Sequence, residues 1–440
     1  MNSKNNEEKG TTLLSFYKNK TVLVTGHTGF KGTWLTRILL TAGAKVIGYS
    51  LPAPTDPNLY SLAGFSKYEN EGTFVNVEGD VRDLPHLRET FNTFQPSIVF
   101  HLAAQPIVRD SYKNPVYTYE TNVMGTVNVL ESIRLTSSVR SAVIITTDKV
   151  YKNNEWIWGY REDEPLDGFD PYSNSKSCAE LSVHSYRNSF FTSMDGEVGE
   201  DGKQHRYLAV STARAGNVIG GGDFANDRII PDCVRAVEAA INDHTVDSET
   251  GELVATIGVR NPYSTRPYQH VLEPLAMYLT IAKAQWSDRG VSSYYNVGPD
   301  DEDCVTTGDL VSLFCREWNE LVEHGVSGLT SSTTSGDKDR SSDAGCSSSM
   351  ADDKGRSTNG TKVATLPKVR WESHAESNAP HEANFLKLDS TKIKVTLGYR
   401  PRWHITDCMK RTVKFSAVYL LDPASIPLEM DKEIDEFFNR

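Results

Sequence analysis

The chain is expected to fold as a Rossmann-like, doubly wound α/β protein, a parallel sheet carrying a smaller C-terminal substrate-binding domain. Three observations predict this. Short, continuously apolar runs recur through the first half of the sequence, as strands buried on both faces require. Helical stretches separate those runs, the alternation that parallel βαβ units need. A glycine-rich turn stands between the first run and the first helix, where such folds bind a dinucleotide.

Thr21–Thr25 reads as the first strand, followed by the turn Gly26–Gly32, a helix over Thr33–Ala42 and a strand over Lys45–Tyr49. Further strands are read at Thr73–Val77, Ser97–Phe100, Ser141–Thr147 and Tyr207–Thr212, with helices over Pro115–Leu135, Pro171–Phe191 and Ile426–Phe438. Residues 17–215, with parts of 264–298 packing back on them, form the nucleotide-binding domain; 216–263 and 299–425 form the substrate-binding domain. Residues 1–16 read as a disordered tail, and Ser193–His205 and Asn242–Glu252 as polar insertions. The Ser/Gly/Asp-rich stretch 327–365 has too few apolar side chains to offset its ordering entropy and is expected to be disordered.

A length of 440 residues suits one large or two modest domains. Lys and Arg total 46 against 58 Asp and Glu, a net charge of −12, which argues against nucleic-acid binding but permits a local basic pocket for a phosphorylated metabolite. No run approaches the roughly 18 apolar residues of a membrane span, and the first residues lack a secretory pattern. The six cysteines are scattered without a CxxC pair, so neither a disulfide framework nor a metal site is expected, and a reducing cytoplasm is the default compartment.

The turn Gly26-His-Thr-Gly29-Phe-Lys-Gly32 has GxxGxxG spacing. Its glycines let the backbone approach a pyrophosphate that the following helix N-terminus stabilises. Gly26, Thr28, Gly29, Phe30, Lys31 and Gly32 are therefore candidate cofactor contacts. Asp80 and Val81 follow a strand, where a carboxylate can accept from an adenine amino group or simply cap the loop. Leu102, Ala103 and Ala104 end another strand with side chains small enough for a cofactor to pass, while His101 reads as structural. The acidic residue that usually grips the ribose of NAD is missing: the second strand runs into Ser50 and Leu51. No arginine stands nearby for the extra phosphate of NADP, and NAD is the expected cofactor.

Tyr172 and Lys176 lie at i and i+4, on one face of a helix. The ammonium is expected to lower the phenol's pKa, and a phenolate can take a hydroxyl proton while hydride leaves the same carbon. Thr147, Asp148 and Lys149 follow a strand end, where open α/β sheets place ligands. Thr147 can hydrogen-bond the reacting hydroxyl; Asp148 and Lys149 offer one acid and one base.

Several motifs together carry a resemblance: TGHTGFKGTW (Thr25–Trp34), HLAAQPIVRDSY (His101–Tyr112), TTDKVY (Thr146–Tyr151), DPYSNSKSCAEL (Asp170–Leu181), RAGNVIGGGDFANDRIIPD (Arg214–Asp232) and RNPYSTRPYQHVLEPL (Arg260–Leu275). The sequence resembles the extended short-chain dehydrogenase/reductases and, within them, the CDP-glucose type of nucleotide-sugar 4,6-dehydratase. That resemblance implies oxidation at sugar C4 with Tyr172 as base and Lys176 holding the cofactor ribose, then loss of the C6 hydroxyl with Asp148 as acid, then reduction at C6. It leaves Lys149 as either the C5 base or a charge stabilising the enolate. In the matching motifs Asn217, Arg228 and Arg266 would meet the substrate's phosphates, and Tyr268 and His270 its base or sugar. A homodimer paired through Pro115–Leu135 and Pro171–Phe191 is expected by the same analogy. The rival readings are another NAD-dependent nucleotide-sugar 4,6-dehydratase or 4-epimerase, and a non-catalytic NAD-binding scaffold.

Overall fold

Strands β1 (Thr21–Thr25), β2 (Lys45–Ser50), β3 (Phe74–Glu78), β4 (Ile98–His101), β5 (Ser141–Thr147) and β6 (Ala209–Ala215) form one parallel sheet with the strand Tyr294–Val297. The computed structural model describes residues 13–191, 207–325, 366–374 and 385–439. Across the sheet the order is Tyr294–Val297, β6, β5, β4, β1, β2, β3. Strand addition changes direction between β1 and β4, which opens a crevice at their carboxyl ends.

Alternate residues along the central strands enter different cores. Val22, Val24, Ile98, Phe100, Val143 and Ile145 face one layer; Leu23, Val99, Ala142 and Ile144 face the other. A period of two with both positions apolar produces the continuous runs seen in the sequence. The helices α1 (Phe30–Thr41) and Leu272–Ser287 cover the first face, and Leu84–Phe94, Gly125–Leu135 and Pro171–Phe190 cover the second. Among the described residues no helix is long and apolar enough to cross a membrane.

Smaller pairings build the rest: Val254–Val259 with Lys368–Ser373, Thr265–Pro267 with Cys304–Thr306, and Val218–Ile219 with Gln269–His270. The helices Ile229–Asn242, Thr307–His324 and Ile405–Leu421 pack around them. The final helix, Ile426–Phe438, returns to α1, where Arg37 donates to Asp431 at 2.7 and 2.8 Å and to the carbonyls of Ala63 and Pro427.

Three features differ from the sequence reading. The ordered chain starts before residue 17: Leu14–Tyr17 form a 3-10 turn, Tyr17 is fully buried, and its hydroxyl donates to the Leu279 carbonyl at 2.6 Å. Leu13, Leu14 and Phe16 pack against the same core, an apolar cluster too short to show a period. Pro115–Leu135 is interrupted by a π turn at Glu120–Met124. The insertion Asn242–Glu252 begins inside the helix Ile229–Asn242 and closes on Asp247, whose carboxylate accepts from the Glu249 and Thr250 amides at 3.0 and 3.1 Å. The tail before residue 13, the insertion Ser193–His205 and all of 327–365 lie outside the described residues.

Candidate active site

The glycine turn leaves β1 at the crevice. Gly26 has φ +74°, and a Cβ there would stand 2.7 Å from the Ala103 nitrogen; at Gly32 it would stand 2.0 Å from the Gly26 carbonyl oxygen. Only glycine permits this double approach of backbone to backbone. Gly29 precedes α1 without any side-chain cap, so the first-turn amides of Phe30, Lys31 and Gly32 remain open to an anion. Thr28 turns the other way, its hydroxyl donating to the Leu51 carbonyl at 2.9 Å and lying 2.9 Å from Ser50 Oγ. Two hydroxyls thus stand where a ribose-binding carboxylate is usual. Asp80 accepts from the Arg82 amide at 2.9 Å and from its guanidinium at 2.7 and 2.9 Å. Val81 is buried, and Asn128 holds its carbonyl at 2.9 Å.

A hydrogen-bonded chain fixes the end of β4. The Ala103 amide donates to Thr25 Oγ1 (3.2 Å), which donates to His101 Nδ1 (2.7 Å). His101 Nε2 then donates to Thr126 Oγ1 (3.1 Å), whose hydroxyl donates to the Asn122 carbonyl (2.7 Å). Burial and the charge of Lys176 push the His101 pKa down to about 3, so the ring is a neutral brace. Asn122, within the π turn, accepts from the Gln105 amide (2.9 Å) and donates to the Gln105 carbonyl (3.1 Å) and Ser175 Oγ (2.9 Å). A π turn re-aims one side chain in this way and is frequent at functional sites.

The reacting groups come from β5 and the helix Pro171–Phe190. That helix is started by sequence: Asp170 accepts from the Ser173 amide at 3.0 Å, and Pro171 holds the first position. Its first turn places Tyr172 within hydrogen-bonding reach of Thr147. Thr147 Oγ1 donates to Asp148 Oδ1 at 2.9 Å. Asp148 is 1% exposed, and its other oxygen, Oδ2, is buried without a partner among the described residues. Pro267 and Gly216 lie alongside. Burial raises the Asp148 pKa against the opposing pull of Lys149, Thr147, Arg266 and Lys31. A buried carboxyl with a raised pKa and an oxygen left without a hydrogen bond is suited to donating a proton.

The expected lowering of the Tyr172 pKa by Lys176 is not what the site does. Burial pushes the phenol up to about 12, opposed by the Thr147 hydrogen bond. Lys176 is itself pushed down to about 8 by burial and by Lys31, and its ammonium points to the Ile145 carbonyl at 3.4 Å. Sharing a helix face does not make two buried groups ionise together.

Lys31, Thr147, Asp148, Tyr172, Arg228 and Arg266 converge. Lys31 feels Arg228, Asp148 and Asp223, and burial takes its pKa down to about 8; Tyr172 feels Arg228. Arg228 also pairs with Asp223 at 3.3 Å, and Arg266 donates to the Thr265 carbonyl at 2.9 Å. Lys149 is half-buried beside Asp148, and among the described residues its ammonium meets no acceptor. Leu102 and Ala103 line the cofactor turn, with Ala104 next in the chain, and Asn217 lies just past β6.

Two expected residues are not brought to this cluster. His270 is fully buried against Trp403, and its Nδ1 accepts from the Leu272 amide at 3.3 Å. Tyr268 is 4% exposed, with its hydroxyl 3.3 Å from Thr307 Oγ1. Asp223, which balances Lys31 and Arg228, was not read from the sequence; its only signal was its place beside three glycines.

A glycine turn at the strand-order switch, a brace of small residues after β4, and a Tyr/Lys helix over β5 define a short-chain dehydrogenase/reductase of the extended, nucleotide-sugar class. The model of GDP-mannose 4,6 dehydratase matches residues 23–194. The chain is 40% identical over 407 residues to the CDP-glucose 4,6-dehydratase of Salmonella typhimurium, covering 92% of this chain and 93% of that one. It belongs to the CDP-glucose 4,6-dehydratase family. A UDP-glucose 4-epimerase of Mycolicibacterium smegmatis is 33% identical, but over only 38% of this chain and 51% of its own. Among solved structures, the epimerase Mth375 of Methanothermobacter thermautotrophicus superposes with a TM-score of 0.63 at 21% identity, covering 92% of this chain and 95% of that one. That likeness shows the shared fold.

Proposed function

We propose that the protein converts CDP-glucose to CDP-4-keto-6-deoxyglucose with NAD as a cofactor that is regenerated in each cycle. The observation that carries this reading is the buried Asp148 carboxyl, its pKa raised by burial and its Oδ2 without a hydrogen-bond partner among the described residues, beside the Thr147–Tyr172 contact. An epimerase has no water to expel and no use for such an acid.

Gly26, Gly29, Gly32 and the first amides of α1 would hold the NAD pyrophosphate, Asp80 and Val81 the adenine, and Lys176 the nicotinamide ribose. When bound, NAD supplies the hydride acceptor for sugar C4 and the hydride donor for C6. Tyr172 takes the C4 hydroxyl proton as the carbon is oxidised. Thr147 has one hydroxyl proton and two neighbours that can accept it. It is donated to Asp148 Oδ1, and turning it to the tyrosine oxygen instead would favour the phenolate. The C4 ketone acidifies C5–H, and Asp148 protonates the departing C6 hydroxyl. Lys149, adjacent to Asp148 and without an acceptor among the described residues, stabilises the enolate or takes the C5 proton. Lys31, Arg228 and Arg266 supply the cations that two phosphates require.

Incubation with CDP-glucose, dTDP-glucose and UDP-glucose in turn tests the assignment. Mass spectrometry should find a product lighter by one water from CDP-glucose. Conversion of dTDP-glucose alone would reject the CDP preference, and conversion of none would leave an NAD-binding scaffold.

We further infer a homodimer. Val116, Met124, Leu181 and Phe190 are 69%, 52%, 55% and 52% exposed on the two long helices over the second sheet face, an apolar surface that a lone chain rarely leaves open. The wild type should sediment as a dimer, and Val116→Glu with Leu181→Glu as a monomer. A monomeric wild type would reject the pairing.

A further inference from the structure

We infer that Glu180, one turn beyond Lys176, is a positioning residue for the oxidation step. It fixes the Tyr172/Lys176 helix on the strand that ends at Thr147, just before Asp148. This rests on the dehydratase reading above.

Glu180 is completely buried and spends both oxygens on the sheet beneath it. Oε1 accepts from Thr146 Oγ1 at 2.5 Å; Oε2 accepts from Thr212 Oγ1 and Arg214 Nη2, each at 2.9 Å. Thr146 is the residue before Thr147, so the helix and the reacting turn share one anchor. Arg214, 3% exposed at its side chain, extends the anchor outward. Its Nη1 donates to Tyr151 Oη at 2.8 Å and to the Glu162 carbonyl at 3.0 Å. Tyr151, three residues beyond Asp148, donates to Asn296 Oδ1 at 2.6 Å. The two ends of the segment Thr146–Tyr151 are therefore tied to one buried ion pair, with Asp148 and Lys149 between them.

A helix–strand pair already cored by apolar contacts does not need a buried ion pair for stability, and such pairs are weak stabilisers. Their best-supported use is to fix one arrangement among several. Here the arrangement that matters is the height of Tyr172 over Thr147. A shift of about 1 Å in a reacting group costs on the order of a hundredfold in rate.

Glu180 also acts on Lys176 through its charge. Lys31 from α1, His101 from β4 and Glu180 from its own helix face that ammonium, and Glu180 supports its protonated form. On Glu180 itself bear Arg214 from β6, Tyr151 from the β5 loop and Tyr294 from the edge strand.

The test compares Glu180→Gln, Glu180→Asp and Thr146→Val with the wild type. In Glu180→Gln, kcat should fall roughly 10- to 100-fold with KM for CDP-glucose within about twofold. The alkaline limb of the kcat profile should move to lower pH by roughly half to one unit, because the lost charge no longer supports the ammonium. Glu180→Asp should restore the limb. Thr146→Val keeps the charge and loses one bond, so kcat should drop while the limb stays. Titration with NAD by calorimetry, without any sugar nucleotide, gives a second reading: binding should weaken at lower pH in Glu180→Gln than in the wild type. That measurement decides the matter even if none of the three sugar nucleotides is turned over. An unmoved limb and unmoved NAD titration in Glu180→Gln, or wild-type kcat in Thr146→Val, overturns the proposal. Should Glu180→Gln fail to fold, Thr146→Val decides alone.

Discussion

Tyr172→Phe should lose turnover by about a hundred- to ten-thousandfold, the range supplied by a positioned general base, while CDP-glucose and NAD still bind. The substitution removes one oxygen and leaves the ring, so packing over Thr147 persists. In the free protein the phenol's pKa lies near 12 because of burial, and ionisation at working pH has to be assisted. The assistance available is the Thr147 hydroxyl, whose hydrogen bond opposes the upward shift of the phenol, together with the positive ring that oxidised NAD would bring when bound. A difference absorbance titration of wild type against Tyr172→Phe should show the phenol ionising at lower pH with NAD present than without it. Near-normal turnover in the variant would remove Tyr172 from the mechanism.

Asp148→Asn should stop the cycle later. The amide cannot deliver a proton to the C6 hydroxyl, so oxidation at C4 outlasts elimination and the absorbance of reduced nicotinamide should build up while turnover falls about a hundredfold or more. Absence of that absorbance would count against the acid role. Stability should move the other way. The pKa of Asp148 is raised by burial in the folded chain. Its contribution is therefore fully present below the unfolded value and is lost as pH rises through the folded one. Above that pH the carboxylate is a buried charge with one partnerless oxygen. The asparagine variant should melt at or above the wild-type temperature at neutral and alkaline pH, as expected where a site holds strain for function.

Strand positions were legible because both faces of the sheet are covered: Thr21–Thr25 and Ser141–Thr147 read from the sequence with the boundaries found. The glycine turn was legible because its spacing reflects a backbone collision that only glycine avoids. What failed was anything set by side-chain direction. His270 sits in a motif with Arg266, yet the strand Gln269–His270 turns it into the core against Trp403. Tyr172 and Lys176 share a helix face, but their ionisation depends on burial, which spacing does not report. The Glu180–Arg214 pair joins residues 34 positions apart, and no local pattern announces it. The π turn was hidden because a five-residue segment is too short to show a period of its own.

The bond from Arg37 to Asp431 spans 394 positions. During synthesis, α1 emerges some 394 positions before the carboxylate it bonds and waits for the helix Ile426–Phe438. Until then Arg37, an arginine that ends 5% exposed, lacks that carboxylate, and the side of α1 that meets the helix Ile426–Phe438 stays bare. Such a distant closure is slow to form, so a chaperone would meet this surface first, and a chain cut short before Asp431 would keep offering it to proteases.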